Sequence, residues 1–164
     1  MSNNELVANN AGEMQGNVDV VMSLQQELSR GGADTYISLD LATATPLQKA
    51  KISNMLNQPD KRIGDEINKT INVVDMILHR VKLVDENTGM ETDAVRIILI
   101  DDKDVSYVSV SKGIYQVLSN NIIPMFGQPP YAGGIPLTIK QGGSGTRKYL
   151  TLLLDVSEME KRSK

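Results

Sequence analysis

INVVDMILHRVKLVD, residues 71–85, is a run rich in β-branched residues whose apolar side chains fall on both strand parities. A flat strand usually holds about 5–6 residues, so this run is too long for one. A long strand that is buried first on one face and then on the other is typical of a bent or bulged strand shared by two sides of a small barrel. We therefore expect a long bent strand that begins a β domain.

Two polar turns follow this strand and separate further strand-like segments. ENTG, residues 86–89, leads to AVRIILI, residues 94–100, and DDKD, residues 101–104, leads to VSYVSV, residues 105–110. Short polar turns between apolar, β-branched runs are typical of hairpins. The sequence therefore predicts a meander of three strands.

A helix and two more strands complete the pattern. Ser111 can cap a helix over residues 112–123, which we expect Pro124 to end. The alternating apolar positions of the fourth and fifth strands are Ile135, Leu137 and Ile139, then Leu150, Leu152, Leu154 and Val156. Three strands, a helix and two strands follow one another in the OB-fold, a five-stranded Greek-key barrel. We therefore predict a mostly β, α+β domain of the OB-fold class, with the helix between strands three and four.

The amino-terminal part of the chain is rich in Asn, Gly and Gln and predicts an arm in front of the barrel. Residues 18–28 carry apolar side chains at helical spacing and precede a Gly-Gly pair, which predicts a short N-terminal helix. This segment packs on its own domain, binds a partner or frays into disorder, and the sequence leaves the three alternatives open. Thr45 and Pro46 mark the start of a leading helix, and residues 60–70 predict a further short helix or turn. The predicted organisation is an arm at 1–34, an OB-fold domain at 35–157 and a charged C-terminal tail at 158–164.

Composition excludes several classes of protein. The chain has no cysteine and a single histidine, His79, so we expect no disulfide, no metal site and no His-based triad. No stretch approaches the roughly 18 apolar residues of a membrane span, and we expect a soluble, cytoplasmic protein with no membrane contact. GGSGTRKY, residues 142–149, lacks the Lys-Ser/Thr step and the following helix of a Walker loop. We therefore expect neither an enzyme nor a bound cofactor.

Charge is distributed unevenly along this chain, whose net charge is −3. Residues 105–154 contain no acidic side chain. The basic residues of this interval are Lys112, Lys140, Arg147 and Lys148. The segment IKQGGSGTRKYLTL, residues 139–152, places the last three of them in and beside a glycine-rich loop between strands four and five. OB-folds use this loop to hold oligonucleotides, so the local positive field predicts contacts with phosphates.

Strand alternation assigns the side chains that face outward from the barrel. Val108 and Val110 are expected to point inward. Tyr107 and Ser109 would then point outward, and strands four and five follow the same alternation. A base stacked on a tyrosine contributes about 1–3 kcal/mol whatever the base, while Lys and Arg follow the phosphates. The predicted DNA-binding residues are Arg96, Tyr107, Ser109, Lys112, Thr138, Lys140, Arg147, Lys148, Tyr149 and Thr151.

Several segments of the chain, taken in order over roughly residues 36–157, resemble phage-encoded single-stranded DNA-binding proteins of small tailed phages. They are YISLDLATATPLQKAKISNMLN, DEINKTINVVDMILHRVKL, VRIILID, SYVSVSKGIYQVL and GGIPLTIKQGGSGTRKYLTLLL. The resemblance implies a protein that coats the single strands exposed during phage DNA replication in the host cytoplasm. It also implies replication proteins as partners and is compatible with a homo-oligomer. The chain lacks the groove tryptophans and the acidic tail of many such proteins, since it has no Trp and ends EMEKRSK.

Two functions stay open at this point. The first is a non-enzymatic protein that binds single-stranded DNA with little sequence preference. The second is a protein-protein interaction module, such as a phage regulatory or assembly factor, in which the glycine-rich loop and the stripe at residues 18–28 contact protein. Binding to an oligonucleotide distinguishes the two.

Overall fold

The computed structural model describes residues 35–164, so the predicted arm and its helix lie outside the described residues. The described chain is an α+β fold with one curled sheet and a few short helices. Its strands are β1 Thr35–Ile37, β2 Lys61–Arg62, β3 Thr70–Val84, β4 Glu91–Asp101, β5 Ser106–Ser109, β6 Ile135–Gly142 and β7 Tyr149–Leu154. Its helices are α1 Pro46–Asn57, α2 Lys112–Val117, α3 Ile123–Phe126 and α4 Val156–Arg162, with a 3-10 turn at Ile63–Asp65 and a π-helical turn at Leu118–Ile122. None of these helices is long and apolar enough to cross a membrane.

Strand β3 is the long bent strand that the sequence predicts. It has 15 residues, and it pairs antiparallel with β6 over Thr70–Val73 and with β4 over Val73–Val84. The register with β4 shifts between Val73 and Asp75, where β3 passes from one partner to the other. The predicted long, shared strand is therefore confirmed, and it joins the β4 side of the sheet to the β6–β7 hairpin.

The sheet contains seven strands within residues 35–164, whereas the sequence predicts five. Its order is β2-β5-β4-β3-β6-β7, and β1 pairs with β3. The additional strands β1 and β2 have three and two residues, too few to show a pattern in the sequence. No ladder joins the two ends of this order, β2 and β7, in this part of the chain, so the sheet is curled and is not closed by hydrogen bonds. This curled, half-barrel arrangement is consistent with an OB-like fold.

Two short segments meet the start of β7 at Leu150. A Cβ built on Gly64, in the 3-10 turn, would lie 3.7 Å from Leu150 Cδ1. A Cβ built on Gly113, in α2, would overlap the Leu150 carbonyl oxygen, so the helix backbone lies directly against this strand. The contact of Gly64, Gly113 and Leu150, hereafter the Leu150 junction, therefore joins β7, at one end of the sheet order, to the segments that follow β2 and β5 at the other end.

Apolar side chains form one layer on each face of the sheet. The inner layer extends across all the longer strands and α2, whereas the outer layer lies between α1 and the sheet. In β4, Ile97 belongs to the inner layer and Ile98 to the outer one, and both are 0% exposed. The outer layer contains Ile52 and Met55 of α1. The middle of the sheet is thus buried on both faces.

The orientation predicted for β5 is wrong. Tyr107 is 7% exposed and packs in the inner layer, while Val108 packs against the outer layer and Val110 is 42% exposed. Strand alternation alone cannot predict which side chains of β5 enter which layer, because both layers are apolar and Val108 packs against the outer one, beneath α1. Tyr107 therefore points into the inner core, and Ser109 shares its parity.

Two helix boundaries also differ from the sequence prediction. Pro124 does not end the helix, because the chain passes through the π-helical turn and Pro124 occupies the first turn of α3, where no N–H donor is needed. Val156, predicted in the last strand, is instead the first residue of α4. The Asp155 side chain caps this helix by accepting a hydrogen bond from Glu158 N at 3.1 Å, which stops the strand.

Candidate nucleic-acid interface

The β6–β7 hairpin turns one face away from the core. Its alternate residues Leu137, Ile139 and Leu152 are buried in the inner layer, so the residues between them point away from the core. The pairs on the outer face are Thr138 with Leu153, Lys140 with Thr151 and Gly142 with Tyr149. The orientation predicted for this hairpin is confirmed.

Tyr149 is the tyrosine with an exposed ring. All five tyrosines of the chain lie in the described part, and four are 4–7% exposed, whereas Tyr149 is 56% exposed. Its ring lies across Gly142, the residue directly opposite in β6, because a Cβ built there would lie 2.5 Å from Tyr149 Oη and 2.8 Å from Cε2. The β6 backbone thus supports one side of the ring while much of the ring faces solvent. Such a ring is suited to stack on a base.

The loop at residues 143–148 carries two cations that directly precede Tyr149 in the chain. Gly143 has φ +82°, and a Cβ there would overlap the Arg147 carbonyl oxygen, so the tight turn requires glycine. Arg147 N donates to Ser144 O at 3.0 Å and closes the turn. The glycine-rich loop therefore presents Arg147 and Lys148, both exposed, next to Tyr149.

The basic side chains of the hairpin are not neutralised by neighbouring carboxylates. Lys140 Nζ donates to Asn68 Oδ1, an uncharged amide, at 3.1 Å. Neither Arg147 nor Lys148 forms an ion pair with any residue that the structure describes. Lys140, Arg147 and Lys148, hereafter the hairpin cations, therefore maintain a positive field that phosphates can enter.

The Leu150 junction brings two more cations near the start of β7. Arg62 lies two residues before Gly64, and Lys112 lies one residue before Gly113. Both are exposed, and neither is ion-paired within residues 35–164. The sequence predicts Lys112 but misses Arg62, because acidic residues surround Arg62 in the chain and no local pattern indicates that β2 pairs with β5.

The lysines nearest to Arg62 are balanced by Glu66. Its carboxylate lies 3.1 Å from both Lys61 Nζ and Lys69 Nζ, and its side chain is 11% exposed. Hydrogen bonds from Lys69 and then Lys61 lower the pKa of Glu66, so this carboxylate remains charged. Arg62 is therefore the basic residue of this segment that forms no ion pair with a described residue.

Three predicted site residues make contacts away from the hairpin face. Tyr107 donates its hydroxyl hydrogen to Asp101 Oδ2 at 3.1 Å, and burial, followed by the charge of Asp101, raises its pKa to about 12. Ser109 Oγ accepts a hydrogen bond from the backbone before α2 at 3.0 Å. Arg96 donates to the Leu56 carbonyl oxygen at 2.9 Å and so holds the end of α1 on the sheet. The structure gives each of these residues a partner within the fold.

Comparison with known proteins identifies one family. The profile of a family described as phage single-stranded DNA-binding protein matches residues 33–155. This match includes all the described strands, and with them the hairpin cations and the Leu150 junction. No curated protein and no solved structure gives a significant match.

Proposed function

We propose, since the chain belongs to the family of phage single-stranded DNA-binding proteins, that it coats the single strands exposed during phage DNA replication. The family consists of nucleic-acid-binding, non-catalytic proteins, so membership favours DNA binding over a module that contacts protein alone. We further propose that the protein acts in the host cytoplasm, beside the replication proteins that generate and use single strands. Its curled sheet would serve as an OB-type barrel whose open side is covered by α2 and the 3-10 turn.

The DNA strand would run over the outer face of the β6–β7 hairpin, with one base stacked on Tyr149. Stacking on an aromatic ring contributes about 1–3 kcal/mol per base and is insensitive to base identity. Because Gly142 already supports the ring, little rotamer freedom remains to be lost on binding. A sequence-tolerant mode of binding follows from this geometry.

Phosphates on either side of the stacked base would contact the hairpin cations, Lys112 and Arg62. Each phosphate contact releases counterions and adds about 0.7 to the slope of log affinity against log salt for a single strand. Thr151 lies directly opposite Lys140 on the same face, so its hydroxyl would meet the DNA strand beside the stacked base and not a phosphate. Thr138 Oγ1 lies 2.7 Å from Thr70 Oγ1, so we assign it to the support of the hairpin base.

One observation carries this proposal: the exposed Tyr149 ring, supported by Gly142 and flanked by cations without carboxylate partners. The test is a titration of a labelled oligo-dT and of a duplex of equal length at low salt. We expect tighter binding to oligo-dT, retained by Tyr149→Phe and weakened by Tyr149→Ala. Absence of oligo-dT binding at micromolar protein, or equal binding of Tyr149→Ala and the unmodified protein, would refute it.

A further inference from the structure

A cleft lies between α2 with its π-helical turn and the outer side of β7. It has a volume of about 180 Å³. Gln116, Asn120 and Asn121 line its helical side, and Tyr149 and Thr151 line its strand side. The sequence prediction assigns no role to these amides, and the stacking surface alone does not require them.

The chemistry of the lining restricts the ligand. No side chain in the lining carries a charge, so the cleft does not supply the cation that a phosphate needs. Its volume of about 180 Å³ is below the roughly 300 Å³ at which typical small-molecule pockets begin. A planar, uncharged group with hydrogen-bonding edges matches this combination.

Asparagine and glutamine amides each present an N–H donor and a carbonyl acceptor. A pair of such amides can therefore hydrogen-bond to the polar edge of any of the four bases. The amides of Gln116 and Asn120 are exposed and border the cleft, so a ligand can reach them. Close packing of Gly113 against Leu150 brings α2 near enough to β7 for one cleft to be lined from both sides.

We propose that this amide cleft binds one nucleobase of the DNA strand, adjacent to the base stacked on Tyr149. Gln116 and Asn120 hydrogen-bond to the edge of that base, and Thr151 contributes its hydroxyl from the strand side. This inference rests on the proposed single-strand binding and adds a second base site to it. The strand would thus cross from the hairpin face to α2, with cations at the Leu150 junction nearby.

The test is the double variant Gln116→Ala with Asn120→Ala, compared with the double variant Asn87→Ala with Gln128→Ala. The control removes two exposed amides from loops that do not line the cleft. Alanine favours helix at least as well as Gln or Asn, so the cleft variant should melt like the unmodified protein. If the cleft variant melts at a lower temperature, Thr151→Val takes its place in the same measurement. That substitution removes the strand-side hydroxyl and retains a β-branched residue.

Affinity for oligo-dT is measured as a function of salt concentration. We expect the cleft variant to bind about tenfold more weakly, with an unchanged salt slope, because hydrogen bonds to a base involve no phosphate. The control variant should bind as the unmodified protein does. Unchanged affinity in the cleft variant, an equal loss in the control, or a loss with a flatter salt slope would overturn the base site. In each of these cases the unmodified protein still binds oligo-dT, so single-strand binding itself stands.

Discussion

Replacing Gly142 by Ala should remove the stacking platform without altering Tyr149 itself. The added Cβ would lie 2.5 Å from Tyr149 Oη and 2.8 Å from Cε2, whereas nonbonded carbon atoms rest at about 3.5–4.0 Å. The ring must therefore move by roughly 1 Å or more. Because the Tyr149 side chain is 56% exposed, it can turn into solvent while the strands remain paired.

The expected effect on binding follows from the binding free energy that one stacked base contributes. One stacked base contributes about 1–3 kcal/mol, and a displaced ring still makes some contact with it. We therefore expect Gly142→Ala to lose about 1–2 kcal/mol of binding free energy. This corresponds to roughly 5- to 30-fold weaker binding. The free energy of unfolding should fall by less than about 1 kcal/mol, because alanine is no worse than glycine in a strand interior.

The assay is fluorescence anisotropy with a labelled oligo-dT at fixed salt, together with thermal melting. Tyr149→Ala and the double variant complete a double-mutant cycle. If the Ala at 142 acts only by moving the ring, adding it to Tyr149→Ala should change affinity little. Binding of Gly142→Ala equal to that of the unmodified protein, or additive losses in the double variant, would refute the reasoning.

Replacing the three hairpin cations together by Ala should weaken binding to all sequences alike and flatten the salt slope by about 2, as measured by titration at several salt concentrations. An unchanged slope would assign the loop to another role. Tyr107→Ala should lower the free energy of unfolding, measured by urea denaturation, by about 3–5 kcal/mol, because a buried aromatic ring is lost. A Tyr107→Ala variant that is as stable as the unmodified protein but binds DNA weakly would show that Tyr107 contacts DNA and not the core. Gly113→Ala should cost about 1–3 kcal/mol by overpacking against Leu150, and an unchanged melting temperature would contradict the close approach of α2 to β7. Burial raises the pKa of Tyr107, Tyr115 and Tyr131 from 10.0 to about 12, so their contribution to stability is intact below pH 10 and is lost as the pH rises to about 12. Melting temperatures measured across that interval should fall steeply, and a flat profile would show that these rings are accessible.

The sequence by itself determines the parts of the fold whose partners are near in the chain. The β3–β4 and β6–β7 hairpins, the bend in β3 and the glycine-rich loop all follow from local alternation and turn residues. The same holds for the start of α1, where Thr45 accepts a hydrogen bond from Gln48 N and the Gln48 side chain accepts one from Thr45 N. Tyr149 could be placed outward because its hairpin has one buried face, and a two-residue period then leaves a single choice.

The tertiary structure alone decides which layer a side chain enters and which distant segments meet. Tyr107 is buried because α1 covers the opposite face of the sheet and accommodates Val108, and this packing leaves no local signature. Arg62 and Lys112 come near the hairpin because Gly64 and Gly113 pack on Leu150, and the amide cleft depends on the same approach of α2 to β7. Alternation specifies two faces for every strand, but only long-range packing determines what covers each face. The binding surface that we propose is the face that packing leaves uncovered.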